Sequence, residues 1–449
     1  MQTHAWMAVS AIDGVQDPAL RALLTVNLEQ VRLGARFPDG GYFPGSTYGE
    51  EAHWQRFHDA YLELLRNKAG CGDLTAARGP CADDVAFLFG VIAHGTGDEV
   101  WDWLFEPYSP DLGEYYRHAD LAAFADDGGQ ELTMDLVALG VYDVGGPLPL
   151  PAYPSVPDLS AAFAAAGMPG VPTKEFDDGH LFIGVAQDVE QGWVPKHLPG
   201  VLRNMPWMAQ NLVDGPGGVR YAATAIAAQW DHQWDRLLGR AGATTVSAHH
   251  PASEERAVPA TGWVRDSYLP GSTPGRGGAK TRIALSLTDA LPFGRAGGPA
   301  ESTRLPDGSI VLTVDGSSDP LPLLDGYPKA VPYGAGRGTH TAAIQPAVDL
   351  EACTWYRVST TEALVDADGR PVTPTSWRFR TGTAAGERCA DDPAPPPTTG
   401  LPTTTTVPTS ATTDPAATST TGGSGAGSGG TTPAAPGARP VRAAATYTG

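Results

Sequence analysis

The segment from Asp84 to Phe105 constrains this chain most. Val85, Leu88, Phe89, Ile92 and Val100 recur there at helical spacing, so the segment is expected to be a largely buried helix. On it His94, Asp98 and Asp102 lie four residues apart, which keeps them on one face with a drift of about 40° per step. An ionisable group on a buried helix needs a partner. An imidazole followed by two carboxylates can find that partner in a metal ion. A later segment repeats the spacing in Asp127, Glu131 and Asp135. Two facing helices with four-spaced ligands are how helical domains build internal metal sites. Blander readings stay open: Asp127 with Gln130 also makes a helix N-cap with its capping box, and Asp135 also reads as an ordinary exposed charge.

Composition divides the chain of 449 residues into three stretches. Residues 1–245 hold most of the tryptophans and histidines and read as helices between Gly/Pro-rich loops, with a second clear helix from about Tyr221 to Leu238. Residues 255–388 read as short strands, namely Arg282–Leu287, Ser309–Val314 and Trp355–Val358, punctuated by Asp307-Gly308 and Asp368-Gly369 turns. Residues 389–449 collapse into Thr, Pro, Ala, Gly and Ser, a composition that cannot offset the entropy of ordering and is expected to form a disordered stalk. The fold expected is therefore multidomain: an all-α domain, a β-sandwich and a disordered tail.

Four cysteines fall in two close pairs, Cys71 with Cys81 and Cys353 with Cys389, which fits disulfides in an oxidising compartment. No apolar run is long enough for a transmembrane segment, and nothing at the start resembles a basic region followed by an apolar core. The expectation is an extracellular protein, secreted or held at the cell surface, with its export signal absent from the chain as given. A formal net charge of −20 makes nucleic acid and strongly anionic membranes poor partners.

Four short motifs in order, bearing five chemistry-carrying residues, carry a resemblance. They are His4 in Thr3-His4-Ala5-Trp6, Asp39 in Phe37-Pro38-Asp39, His53 in Ala52-His53-Trp54, and His94 with Asp98 at the end of the apolar run Ala86–Ala93. Together they resemble the zinc-dependent phospholipase C family, most closely the catalytic domain of glycosylphosphatidylinositol-specific phospholipase D, over nearly all of residues 1–240. The resemblance implies an all-helical metallophospholipase domain with up to three zinc ions in a cleft. His53, His94 and Asp98 would hold the first. His4, the amino-terminal residue and Asp98 would hold a neighbour, with Asp39 as a ligand or as the catalytic base orienting the attacking water. The activity implied is hydrolysis of phospholipid or glycosylphosphatidylinositol-type phosphodiesters by metal-activated water. The stretch from Thr354 through Thr381 likewise resembles bacterial Ig-like domains, which implies a spacer or a binding module whose partner is unknown.

Two departures from the family pattern matter. Its remaining metal position uses histidines where this chain has Asp102 and Asp127, with Glu131 as the acidic ligand. Three carboxylates suit calcium, magnesium or manganese better than zinc. The family also uses the mature amino-terminal residue as a ligand, whereas this chain begins Met1-Gln2-Thr3-His4: either the start is misassigned or truncated, or Met1 takes that place. His58 reads as a surface residue, and His232 has no motif to recommend it. Two other functions stay open, a single-strand nuclease of related architecture and a catalytically decayed surface-binding protein.

Overall fold

Long apolar helices need neighbours, and the chain supplies them in a computed structural model that describes residues 1–79, 81–101, 105, 127–145, 148–168, 170–215, 217–240, 248–249, 257–258, 283–291, 304–330, 339–348, 350–381 and 389–390; of these, the side chains of 127–131, 207, 248–249 and 257–258 lie outside the description. The described helices are α1 (Gln2–Ala11), α2 (Pro18–Val26), α3 (Leu28–Gly34), α4 (Phe37–Gly40), α5 (Gly49–Ala52), α6 (Gln55–Asn67), α7 (Ala82–Val100), α8 (Asp127–Gly140), α9 (Val156–Ala165), α10 (Thr173–Asn204), α11 (Pro206–Asn211) and α12 (Val219–Leu238). Local chemistry sets several of their ends. Asp17 accepts from the Ala19 and Leu20 amides ahead of Pro18 and so starts α2, while Gly239 in the left-handed region (φ 66°) stops α12.

The expected helix at residues 84–105 stands as α7, buried on every side except at Asp83. All-round burial requires close neighbours, and glycine permits the closest of them. Gly34 on α3 and Gly90 on α7 face each other so tightly that a Cβ on either would collide with the backbone of the other helix. On another side of α7, α12 buries Trp230 and Trp234, and the Trp230 indole donates to the Phe89 carbonyl at 2.7 Å. Both expected disulfides, Cys71–Cys81 and Cys353–Cys389, are present. Among the described residues no helix is long and apolar enough to cross a membrane.

The strands are β1 (Ala248–His249), β2 (Ala257–Val258), β3 (Ile283–Leu291), β4 (Ile310–Val314), β5 (Lys329–Ala330), β6 (Thr339–Ile344), β7 (Trp355–Thr360) and β8 (Ser376–Thr381). They form two four-stranded sheets, ordered β1-β3-β6-β5 and β2-β8-β7-β4, antiparallel except where β2 meets β8. Leu285 and Ile344 from one sheet and Leu312, Val358 and Phe379 from the other enter a single apolar cluster. Strand β8 alternates buried and outward residues, as a half-covered strand should. Strands β3 and β6 are buried on both faces, because the face bearing Ser286, Asp289, Thr339 and Thr341 packs on the helical part. Residues Met1–Asp392 thus form one compact unit. The expected stalk from 391 onward lies outside the described residues.

Candidate metal centre

Two backbone carbonyls fix the tautomers of two buried histidines. His94, on the fourth turn of α7, places Nδ1 2.8 Å from the Ala35 carbonyl, a contact made possible by the close α3–α7 approach. His53, just past α5, places Nδ1 2.7 Å from the Gly49 carbonyl one turn back. Each Nδ1–H therefore donates to the main chain, and each Nε2 is left with a lone pair. Those two Nε2 atoms lie 3.0 Å apart, and Asp98 Oδ2 lies 3.3 Å from both. Burial, offset only in part by Asp39, pushes His94 down to about 3, so the ring is neutral at ordinary pH.

Two lone pairs and a carboxylate converging on one point repel one another unless a proton or a metal ion sits among them. Tetrahedral zinc, with ligands about 2.0–2.1 Å from the metal, holds its ligand atoms roughly 3.3 Å apart. The spacing of the three atoms is close to that. A ligating imidazole also commonly donates its other N–H to a carbonyl, as both rings do here. The residues present fit the metal that the sequence resemblance implies.

The neighbouring group is built around the other oxygen of Asp98. The His4 ring, carried by α1, stacks on His94 at 4.0 Å and places Nε2 3.3 Å from Asp98 Oδ1, so this one carboxylate faces two clusters. Burial and the nearby His94 hold His4 well below the usual imidazole range. Asp39, on α4, lies with Oδ1 3.7 Å from His94 Nε2 and Oδ2 3.6 Å from the Met1 amino group. Burial alone would raise Asp39; His94 and the amino terminus outweigh it and hold the group below the ordinary carboxylate range. His4, Asp39 and His94 form one potential ligand group and His53, His94 and Asp98 another, each with its atoms within 4.8 Å.

Of the residues singled out from sequence, His4, Asp39, His53, His94 and Asp98 come together. The third trio is not brought to view: Asp102 lies outside the described residues, and Asp127 and Glu131 lie on α8 with side chains outside the description. Asp135 on the same helix is no exposed charge. It is fully buried and accepts from the Met1 amino group at 2.5 Å and from the Thr3 amide and hydroxyl, both at 2.7 Å. Glu190 on α10 was not expected here at all. Burial first, then Asp135, pushes its carboxyl up to about 8. Its position was signalled by spacing, since Phe176, Gly179, Ile183, Gln187 and Glu190 make the buried stripe of α10. His58 is also a correction: it is buried, with Nε2 3.1 Å from the Ala52 carbonyl, because α6 lays that face under α7.

At the rim, the exposed Tyr42 ring stands 5.4 Å from the His53 ring, and Phe43 lies 6.0 Å from Phe182 of α10. No protein-family description matches the chain, and no curated protein matches it. Among solved structures it is similar to the N-terminal part of the bacterial S-layer protein SbsC at 13% identity, over 80% of this chain and 79% of that one, with a TM-score of 0.19. Domains 1–6 of surface layer protein SbsC give 14% identity over 80% and 46%, again with a TM-score of 0.19. Superpositions that loose bear on neither fold nor function.

Proposed function

We propose that the chain is a metal-dependent phosphodiesterase of the zinc-dependent phospholipase C type, acting on phospholipid or glycosylphosphatidylinositol-type substrates outside the cell. The observation that carries this reading is the pair of facing Nε2 atoms of His53 and His94, 3.0 Å apart, with Asp98 3.3 Å from each. His53, His94 and Asp98 would hold one zinc, and His4, the amino-terminal residue and Asp98 a second. Bound there, zinc supplies Lewis acidity toward a water and toward the phosphoryl oxygens. Asp39 is the base: its side chain is 13% exposed, and it is held ionised beside the cluster, where it orients the attacking water and takes its proton. Asp98 fixes the spacing of the two groups by giving one oxygen to each.

A lipid substrate is favoured over nucleic acid by the outer face of α10. Leu181, Val185 and Val189 are exposed there at four-residue spacing, with the exposed Asp177 and Asp188 beside them and Lys174 paired with Asp178. An exposed apolar stripe suits a lipid interface. Phe182 on the same helix reaches Phe43, four residues from Asp39, so the stripe adjoins the rim of the centre. The net charge of −20 repels a polyanion. The β part is read as an Ig-like module and the tail as a stalk at the cell surface.

The test is to purify the full chain without chelator, count bound metals by elemental analysis, and assay phosphatidylcholine, a glycosylphosphatidylinositol and single-stranded DNA before and after chelation. Zinc with chelator-sensitive lipid hydrolysis supports the proposal. Zinc with cleavage of DNA alone replaces the substrate, and a metal-free, inactive protein refutes the enzyme.

A further inference from the structure

One side chain of the β part touches the supports of two proposed ligands at once. His340 on β6 is buried at the interface, with Nε2 2.9 Å from Gln55 Oε1 and 2.9 Å from the side-chain amide of Gln229. Its Nδ1 lies 3.2 Å from Glu99 Oε1. Gln55 opens α6 two residues after His53, and Glu99 directly follows Asp98. Gln229 in turn bonds the hydroxyl of Thr96, two residues before Asp98.

The grip on Glu99 goes beyond His340. Its Oε2 accepts from the His340 amide at 2.8 Å, the Thr341 hydroxyl at 2.8 Å and the Thr339 hydroxyl at 3.1 Å. A buried carboxylate with four donors around it has a single low-energy position, because moving it leaves a charge uncompensated. Gln55 has a second tie to the β part through Asp289 at 3.4 Å. None of these residues lies among the proposed ligands, yet together they set the distance between the chain segments that carry two of them.

We infer that the β part is a structural component of the metal centre, with His340 as a positioning residue that holds the His53 and Asp98 segments at the separation the ion requires. This rests on the metal-site reading given above. Ligand distances are tolerated within about ±0.2 Å, so a small change in that separation is felt as affinity. The consequence is that the module does more than space a domain from a surface.

The experiment measures zinc affinity of the full chain by competition with a chromophoric chelator, and the visible spectrum of the cobalt(II)-substituted protein, for wild type, His340→Ala, Thr341→Val and Tyr221→Phe. Tyr221 donates to Ser286 at 3.1 Å in the same interface and is not among the described hydrogen-bond partners of Gln55 or Glu99, so it controls for general loosening. Support from outer-shell partners is commonly worth about 10–100-fold in affinity, so His340→Ala should weaken zinc by that factor and shift the cobalt bands, Thr341→Val should do so less, and Tyr221→Phe should do neither. Should His340→Ala fail to fold, as judged by circular dichroism without metal, Thr341→Val decides. Wild-type affinity in the folded His340 or Thr341 variants, while His94→Ala loses zinc, overturns the inference and leaves the metal site standing. Equal weakening by Tyr221→Phe overturns it as well. A wild-type chain that takes up no zinc removes the metal reading and the inference with it.

Discussion

Replacing Gly95 by alanine isolates the geometry of the first metal group from its chemistry. Gly95 lies on α7 one residue past His94, and a Cβ there would collide with the carbonyl oxygen of His53. Cβ atoms essentially never come closer than 3.0 Å to such an atom, so one of the two segments must give. The yielding part is the short connection between α5 and α6, and a retreat of roughly 1 Å relieves the clash. His53 Nε2 then leaves its place 3.0 Å from His94 Nε2. A shift several times the tolerance of about 0.2 Å removes one ligand of three, and we expect zinc affinity to fall by at least ~100-fold, near 3 kcal/mol. The protein itself should survive. Overpacking costs about 1–3 kcal/mol, while exchanging glycine for alanine inside a helix returns about 1. Chelator competition and thermal unfolding of the metal-free protein read the two effects separately. Wild-type zinc affinity in Gly95→Ala would refute the claim that the approach of α7 to His53 sets the site.

Three further outcomes are expected. Asp39→Asn should keep zinc while lowering kcat by about 10²–10⁴, the usual contribution of a positioned base; an unchanged kcat removes Asp39 from that role. Burial would raise Asp289, but the His232 hydrogen bond and the Arg236 charge hold it far below the ordinary carboxylate range. Its folded value therefore lies below the unfolded value of about 3.9, so its stabilisation is present above that pH and fades as pH falls through the folded value. Melting temperatures between about pH 4 and pH 2 should drop less steeply in Asp289→Asn than in wild type, and parallel curves would contradict the assignment. The Cys71–Cys81 bridge closes a loop of sequence separation 10 directly ahead of α7, and its loss in a double alanine variant should cost about 3 kcal/mol in denaturant unfolding, with a cost near zero counting against it.

The His94–Asp98 pair, proposed above as part of the first metal group, is legible in the sequence because its signal is local. An imidazole and a carboxylate four residues apart on an apolar run have few other uses, and His94 and Asp98 are found where that spacing puts them. Asp39, His4 and His53 were legible only through resemblance, since each sits in a short helix or beside one with no periodicity of its own. The surface reading of His58 and the exposed-charge alternative for Asp135 fail for a shared reason. Each is polar on a helix of mixed composition, and burial was decided by partners far away in sequence, the Met1–Thr3 segment for Asp135 and α7 for His58. For His58 a cue was present: Tyr61, Leu62 and Leu65 share its helical face and are buried with it. The strands expected at 282–287, 309–314 and 355–358 from short runs between turn signals are present as β3, β4 and β7.

What no local pattern could disclose is the seam between the helical and β parts. Strand reading treats Thr339, His340 and Thr341 as polar residues for solvent, and helix reading treats Glu99 and Gln229 as charges or amides without a task. Each is acceptable in isolation, and each would be costly if buried alone. The cost vanishes only in combination: Glu99 receives the donors of β6, His232 pairs with Asp289 at 3.0 Å, and Gln229 lies between Thr96 and His340. An apolar seam would tolerate sliding by a fraction of an ångström, because apolar contact is non-directional. A seam of directed hydrogen bonds does not, and a register shift of one residue on β6 would turn its donors away from Glu99. Such an interface is chosen less for strength than for position, which is what a ligand-bearing helix such as α7 requires from whatever packs against it.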